Sequence, residues 1–271
     1  MKKIALVLVG FAISCSVARA DELADIKAKG EISCGVLGDL VPLGYQDPKT
    51  RELVGLDVDV CAAVAKQLGV KIEFKTVSVD ARIPSLATGR ADLMTASLAY
   101  TPARAKQVDF SSAYMSVPVS ILVKKSSGIK TFADLAGKKI SANRGSTSEV
   151  FAREKIPAAD VVAFDNSPAS FLALSQDKVQ GMSMVKSGAV GFYNRSEGTT
   201  EFLAEPVFVE HDCIGVKKGE PGLLAAVNDA LDKIEKSGEM QTIWDRWYGD
   251  STEYKLTRDI KVVPFSEFEQ K

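Results

Sequence analysis

The sequence predicts an α/β fold on three observations. From residue 31 to residue 216, runs rich in Val, Ile and Leu alternate with amphipathic stretches, the pattern of a mainly parallel sheet with helices on its faces. The segment 85–94 (SLATGRADLM) has a weak echo at 172–182 (LALSQDKVQGM), each reading as a helix, a polar turn and a strand, so two related halves are expected. Without its leader the chain keeps about 250 residues, more than one core ordinarily holds.

That leader has the three parts of a secretory signal: Lys2 and Lys3, an apolar run over 4–13, and Ala18-Arg19-Ala20 ending in a small-x-small cleavage pattern. Residues 1–20 are expected to be removed, leaving Asp21 first. In a rival reading Ala12-Ile13-Ser14-Cys15 is an imperfect lipoprotein box with lipid on Cys15, but Ala18 and Ala20 fit cleavage better. No later run has the length and apolarity of a membrane helix, so a membrane-spanning sensor is not expected. Without Lys2, Lys3 and Arg19 the chain carries 31 basic against 35 acidic residues, a net charge of −4 that does not suggest a nucleic-acid surface.

Strands are predicted over 31–37, 70–74, 91–95, 120–123, 139–142, 161–164, 179–182 and 213–216. Val60, Val64 and Leu68 stand at helical spacing and Gly69 follows, which predicts a helix over 57–68 packed on the first sheet. Helices are also predicted over 221–237 and 238–248, with Trp244 and Trp247 read as core residues. The polar residues 250–271 read as a C-terminal surface tail. Export makes disulfides possible. Cys34 in the first strand and Cys61 in the first helix can pair, leaving Cys213 over, and the alternative is three buried apolar thiols.

Two segments stand out for chemistry. In Thr101-Pro102-Ala103-Arg104, Thr101 is a good N-cap and Pro102 suits the first helical position, so Arg104 falls in a first turn where the helix dipole disfavours a cation. A broken local rule hints at function: a guanidinium at the carboxyl end of a strand matches a ligand carboxylate. The alternative is a surface arginine paired with Asp109 or solvent. In Arg144-Gly145-Ser146-Thr147-Ser148-Glu149, Ser146 and Glu149 have capping-box spacing, read either as ordinary capping or as an anion-binding helix start using Ser146 or Thr147. The single histidine, His211, has no evident serine or cysteine partner and reads as a surface residue. No metal-ligand spacing or phosphate loop appears, so no cofactor or metal is expected.

The order of motifs resembles the polar amino-acid family of periplasmic solute-binding proteins of ABC importers, over nearly all of the chain after the leader. The motifs are Cys34-Gly-Val36, Pro42-Leu-Gly-Tyr45, Gly55-Leu-Asp-Val-Asp59, Arg82-Ile-Pro-Ser-Leu86, Gly89-Arg-Ala-Asp92, Thr101-Pro-Ala-Arg104, Val108-Asp-Phe-Ser111, Asp134-Leu-Ala-Gly-Lys138, Gly145-Ser-Thr147 and Trp247-Tyr-Gly249. The resemblance implies a type II binding-protein fold, two α/β lobes joined by two hinge strands. One lobe would be residues 21–115 and 211–249, the other 116–210, with crossings near Met115 to Pro118 and Val209 to His211. It also implies a periplasmic monomer that binds a small carboxylate-bearing solute between the lobes and delivers it to an inner-membrane ABC permease. Arg104 matches the family's carboxylate clamp, and Ser97 and Thr147 match ligand-contacting positions.

Three departures bear on the ligand. The position where the family places an aspartate for the α-ammonium is Val185, followed by Lys186; Leu40 and Val79 stand where aromatic rings are common; and Ala99 replaces a serine or threonine beside the clamp. An ammonium closed away without a counter-charge costs several kcal/mol, while Lys186 favours a second anion. These departures predict an amine-free dicarboxylate, keto acid or aromatic acid, unless Asp39, beside Leu40, supplies the missing charge. Two other functions stay open on the same scaffold: a cyclohexadienyl-type dehydratase, marked by a buried Glu or Lys with a shifted pKa, and a binding subunit for a membrane sensor.

Overall fold

A computed structural model describes residues 22–258 and 261–269. The expected signal peptide over 1–20, the cleavage before Asp21 and the alternative anchor Cys15 lie outside the described residues.

The first half begins with α1 (Glu22–Lys29), β1 (Glu31–Val36) and a small sheet of β2 (Asp39–Leu40), β3 (Gly44–Gln46) and β4 (Leu53–Val54). Then come α2 (Leu56–Leu68), β5 (Lys71–Thr76), α3 (Arg82–Ala87), β6 (Leu93–Met94) and α4 (Pro102–Ala105). Helix α2 buries Val60, Val64 and Leu68 and stops at Gly69, whose φ of 69° is the left-handed conformation that a side chain would resist. β7 (Val108–Lys124) then runs on into the second half: β8 (Lys139–Asn143), α5 (Thr147–Lys155), β9 (Asp160–Phe164), α6 (Ser167–Ser175), β10 (Gly181–Val185), α7 (Lys186–Arg195) and β11 (Thr200–Phe202). β12 (Phe208–Lys217) returns the chain to α8 (Pro221–Lys236) and α9 (Glu239–Tyr248).

The main sheet has the order β5-β1-β6-β12-β7-β10-β8-β9, with β11 beside β7. Its flanks are parallel, as expected, but β6, β12, β7 and β10 pair antiparallel through the centre. The sheet is mixed rather than mainly parallel, because a strand buried on both faces reads as the same apolar run in either direction. Only 120–123 of the long β7 was predicted, since Asp109, the serines and Pro118 break its apolar run. Pro118 is tolerated because β7 pairs with β10 only from Val119 onward, so the missing N–H faces no second ladder.

One large apolar cluster fills the first half and reaches Met184 and Val185; a second, with Val119, Ile121, Ile140 and Val207, lies within the second half. A disulfide joins Cys34 on β1 to Cys61 on α2, and Cys213 is a buried thiol outside it. Residues after Tyr248 do not form a loose surface tail: Tyr254 and Phe268 are buried, the Trp244 indole donates to the Leu256 carbonyl at 2.9 Å, and Val263 bonds Ala113 on β7 in both directions. A few apolar side chains spaced along a polar segment suffice to hold it down. Among the described residues no helix is long and apolar enough to cross a membrane.

Candidate functional site

The turn after β6 holds two non-glycine residues in left-handed backbone, Ala96 at φ 44° and Ser97 at φ 49°. Such strain persists only where neighbours impose it. Asp57, buried at the start of α2, accepts the Ser97 N–H at 2.7 Å and the Tyr114 hydroxyl at 2.8 Å. Arg82 of α3, only 3% exposed, donates to the carbonyls of Ala96 at 3.0 Å and Ser97 at 2.5 Å. Burial pushes the Asp57 carboxyl up to about 6 against the pull of Tyr114, Ser97 and the Arg82 charge. Burial and then the nearby Arg104 charge push Arg82 down to about 9.

Thr101 caps α4 by accepting the Arg104 N–H at 3.2 Å. The Arg104 guanidinium donates to Ala99 O at 2.7 Å and, across the gap between halves, to Gly145 O at 2.9 Å; Arg82 reaches the same oxygen at 3.5 Å. Asp109 pairs with Lys218 instead, at 2.6 Å. Gly145 has φ 71°, and a Cβ there would lie 3.1 Å from the Asp80 Cα, so no larger residue presents its carbonyl in this way.

The facing wall is neutral. Ser146 caps α5 by accepting the Glu149 N–H at 3.0 Å, while the Glu149 carboxylate accepts from Gly145 N–H at 2.9 Å rather than completing the box on Ser146. Asn166 caps α6, Asn143 donates to the Ser167 hydroxyl at 2.7 Å, and Ser183 donates to Ser148 O at 2.9 Å. Between the walls is a cavity of about 30 Å³, lined on one side by Leu37, Leu40, Val79, Arg82 and Ser97 and on the other by Asn143, Ser146, Thr147, Ser148, Ser167, Ser183, Met184 and Val185.

Glu210 of β12 also lines it, 2% exposed, and accepts a hydrogen bond from the Thr147 hydroxyl. Two residues on, and so on the same strand face, Asp212 is fully buried, and among the described residues no N–H or hydroxyl donates to either of its oxygens. Burial raises Glu210 against Thr147, Arg104 and Arg82, which pull it down. Burial, then the charges of Glu210 and Asp57, raise Asp212 much further. Of the two carboxyls, Asp212 is the one whose charged form its surroundings oppose more strongly.

Of the residues singled out in the sequence, Ser97, Ser146, Thr147, Leu40, Val79 and Val185 line this cavity. Arg104 borders it through Gly145, and Ala99 is buried behind, lending its carbonyl to Arg104. Asp39 is exposed in an adjoining hollow with Gly38, Thr76 and Asp165. Lys186, the first residue of α7, does not line this cavity; it lies exposed with its ammonium 5.4 Å from the Phe202 ring centre. His211 does have a serine partner, Ser116 directly opposite on β7, at 2.6 Å from Nδ1, but neither lines the cavity. Sequence reasoning missed Arg82, Asn143, Ser167, Ser183 and Glu210. Glu210 and Asp212 inside the run from Phe208 to Val216 were the available signal, since carboxylates seldom occupy an apolar strand.

Residues 32–250 match the family described as bacterial extracellular solute-binding proteins, family 3. The chain is 35% identical over 234 residues to an ABC transporter glutamine-binding protein of Bacillus subtilis (strain 168), covering 84% of this chain and 85% of that one. It is 29% identical to the L-cystine-binding protein of Escherichia coli (strain K12), with 85% and 88% covered. Among solved structures it is similar to an ancestral amino acid-binding protein described as a precursor of cyclohexadienyl dehydratase, at TM-score 0.78 and 31% identity over 83% of this chain and 99% of that one. The chain belongs to the family-3 extracellular solute-binding proteins, and its fold is the two-lobed one of periplasmic binding proteins.

Proposed function

We propose that this family-3 protein captures a small amino acid or related carboxylate in the cleft between its lobes and delivers it, in the periplasm, to an inner-membrane ABC permease. The observation that carries the reading is the cavity itself: Ser97, Arg82 and, at its edge, Arg104 on one wall face the start of α5 with Ser146 and Thr147 on the other. Guanidinium, hydroxyl and helix-start N–H groups together suit a carboxylate. The relatives named for glutamine and cystine support an amino acid as the ligand class. At about 30 Å³ the cavity has room for little more than a water molecule. Entry therefore requires the lobes to part, which breaks the Arg104–Gly145 bond and frees the clamp. On this reading residues 21–115 with 211–249 and residues 116–210 move about the crossings in β7 and β12, and residues 1–20 are an export signal removed before Asp21.

A thermal-shift screen of the unfolded-and-refolded protein tests the reading, using amino acids beside the same skeletons without the amine. A ligand at about a hundred times its dissociation constant adds roughly 2.7 kcal/mol and raises the midpoint by several degrees. Arg104→Ala should abolish the shift with the fold intact, and an unchanged affinity would remove Arg104 from the site. A second reading, a cyclohexadienyl-type dehydratase, is favoured by one observation, the buried Glu210 with its raised pKa. Incubation with prephenate and arogenate decides it: product formation supports the enzyme, and no turnover of either leaves a binding protein.

A further inference from the structure

The cleft lacks an acid at Val185, 6% exposed and apolar, yet it has one on another element: Glu210 lines the cavity and Asp212 does not. Around this pair stand Arg82 from α3, Arg104 from α4, Asp57 from α2, Tyr114 from β7, Tyr248 from α9 and the adjoining His211 and Cys213. Two cationic side chains, Arg82 and Arg104, stand among three carboxyls, Asp57, Glu210 and Asp212. A zwitterion adds no net charge to these groups, whereas a dicarboxylate would bring two more negative charges beside the three carboxyls.

We propose that Glu210, which lines the cavity, holds the ligand's ammonium group, and that the cleft thereby selects amino acids of zero net charge over amine-free acids and dicarboxylates. This inference rests on the amino-acid reading above and replaces the sequence expectation of an amine-free ligand. Thr147 contributes to both functions, its hydroxyl aiming the Glu210 carboxylate into the cavity.

Calorimetric titration of the refolded protein at neutral pH against the twenty L-amino acids, their 2-oxo acids, succinate and 2-oxoglutarate tests it. The tightest binder should be a neutral amino acid, its 2-oxo counterpart should bind at least a hundredfold more weakly, and Glu210→Gln should weaken the amino acid to that level. Asp212→Asn, at a neighbour that does not line the cavity, should change affinity less than about fivefold, and a loss as large as that of Glu210→Gln would overturn the assignment to Glu210. Unchanged amino-acid affinity in Glu210→Gln overturns the inference alone. If that variant does not fold, equal affinity of the wild-type protein for an amino acid and its 2-oxo acid overturns it instead. Binding of no amino acid overturns the amino-acid reading and this inference with it.

Discussion

The two walls of the cleft are built from opposite chemistry. The first lobe and β12 supply buried charges, Asp57, Arg82, Glu210 and Asp212, with Arg104 at their edge. The second lobe supplies neutral groups, Asn143, Ser146, Thr147, Ser148, Ser167 and Ser183, most of them at the starts of α5 and α6. A buried charge is tolerated only where its partners stay in place, and the charged wall belongs to the lobe that the Cys34–Cys61 bridge cross-links. Hydroxyls rotate to suit a new partner and bond water equally well. The charged wall is thus held by fixed contacts, and the neutral wall is the more adaptable one.

The contrast breaks most severely if an arginine is taken from the charged wall. Arg82→Leu leaves Asp57 without its counter-charge, Glu210 with Arg104 alone and the Ala96 and Ser97 carbonyls without their donor, and should cost about 3–5 kcal/mol in urea unfolding; a loss under 1 kcal/mol would mean that the network does not hold the Ala96–Ser97 turn. Replacing Cys34 and Cys61 by serine opens a link between residues 27 apart, worth about 3.5 kcal/mol on the chain-entropy scale. A thiol count on the denatured, unreduced mature chain should find one, Cys213, and three would reject the bridge.

The third effect is pH dependence. Asp57 in the folded chain keeps its proton up to about 6, against about 4 when unfolded. Its contribution to stability is therefore complete below pH about 4 and is lost as the pH rises through about 6, on the order of 3 kcal/mol. Glu210 and Asp212, also raised, act in the same direction. Asp57→Asn should flatten this part of the profile in chemical denaturation, and an unaltered slope would assign it to other groups. Ser146→Ala on the neutral wall should cost only about 1 kcal/mol, the usual worth of an N-cap. A larger loss would show that this wall, too, depends on fixed contacts.

Much of this was legible in the sequence because the signals are local. Gly69 ends α2, Thr101 and Pro102 start α4, Ser146 caps α5, and each needs only its neighbours along the chain. Ser97, Thr147 and Val185 were found because ordered motifs carried them. Where Lys186 stands relative to the cavity was not legible, because a side chain's direction at a strand-to-helix junction depends on the register of β10, which its own residues do not reveal. Arg82 was passed over because an arginine in a short helix reads as a surface residue until the Ala96 and Ser97 carbonyls are brought to it.

By itself the sequence determined the α/β class, the caps of α4 and α5 and the family, since propensity, patterning and motif order are properties of neighbouring residues, while the Cys34–Cys61 pairing stayed open until the fold brought the two together. Only the tertiary structure decided that β7 and β12 run antiparallel through the centre of the sheet and that Arg82, Arg104, Asp57, Glu210 and Asp212 meet in one cluster. Those residues span positions 57 to 212, and charge balance is a property of distances through space, which no local pattern encodes.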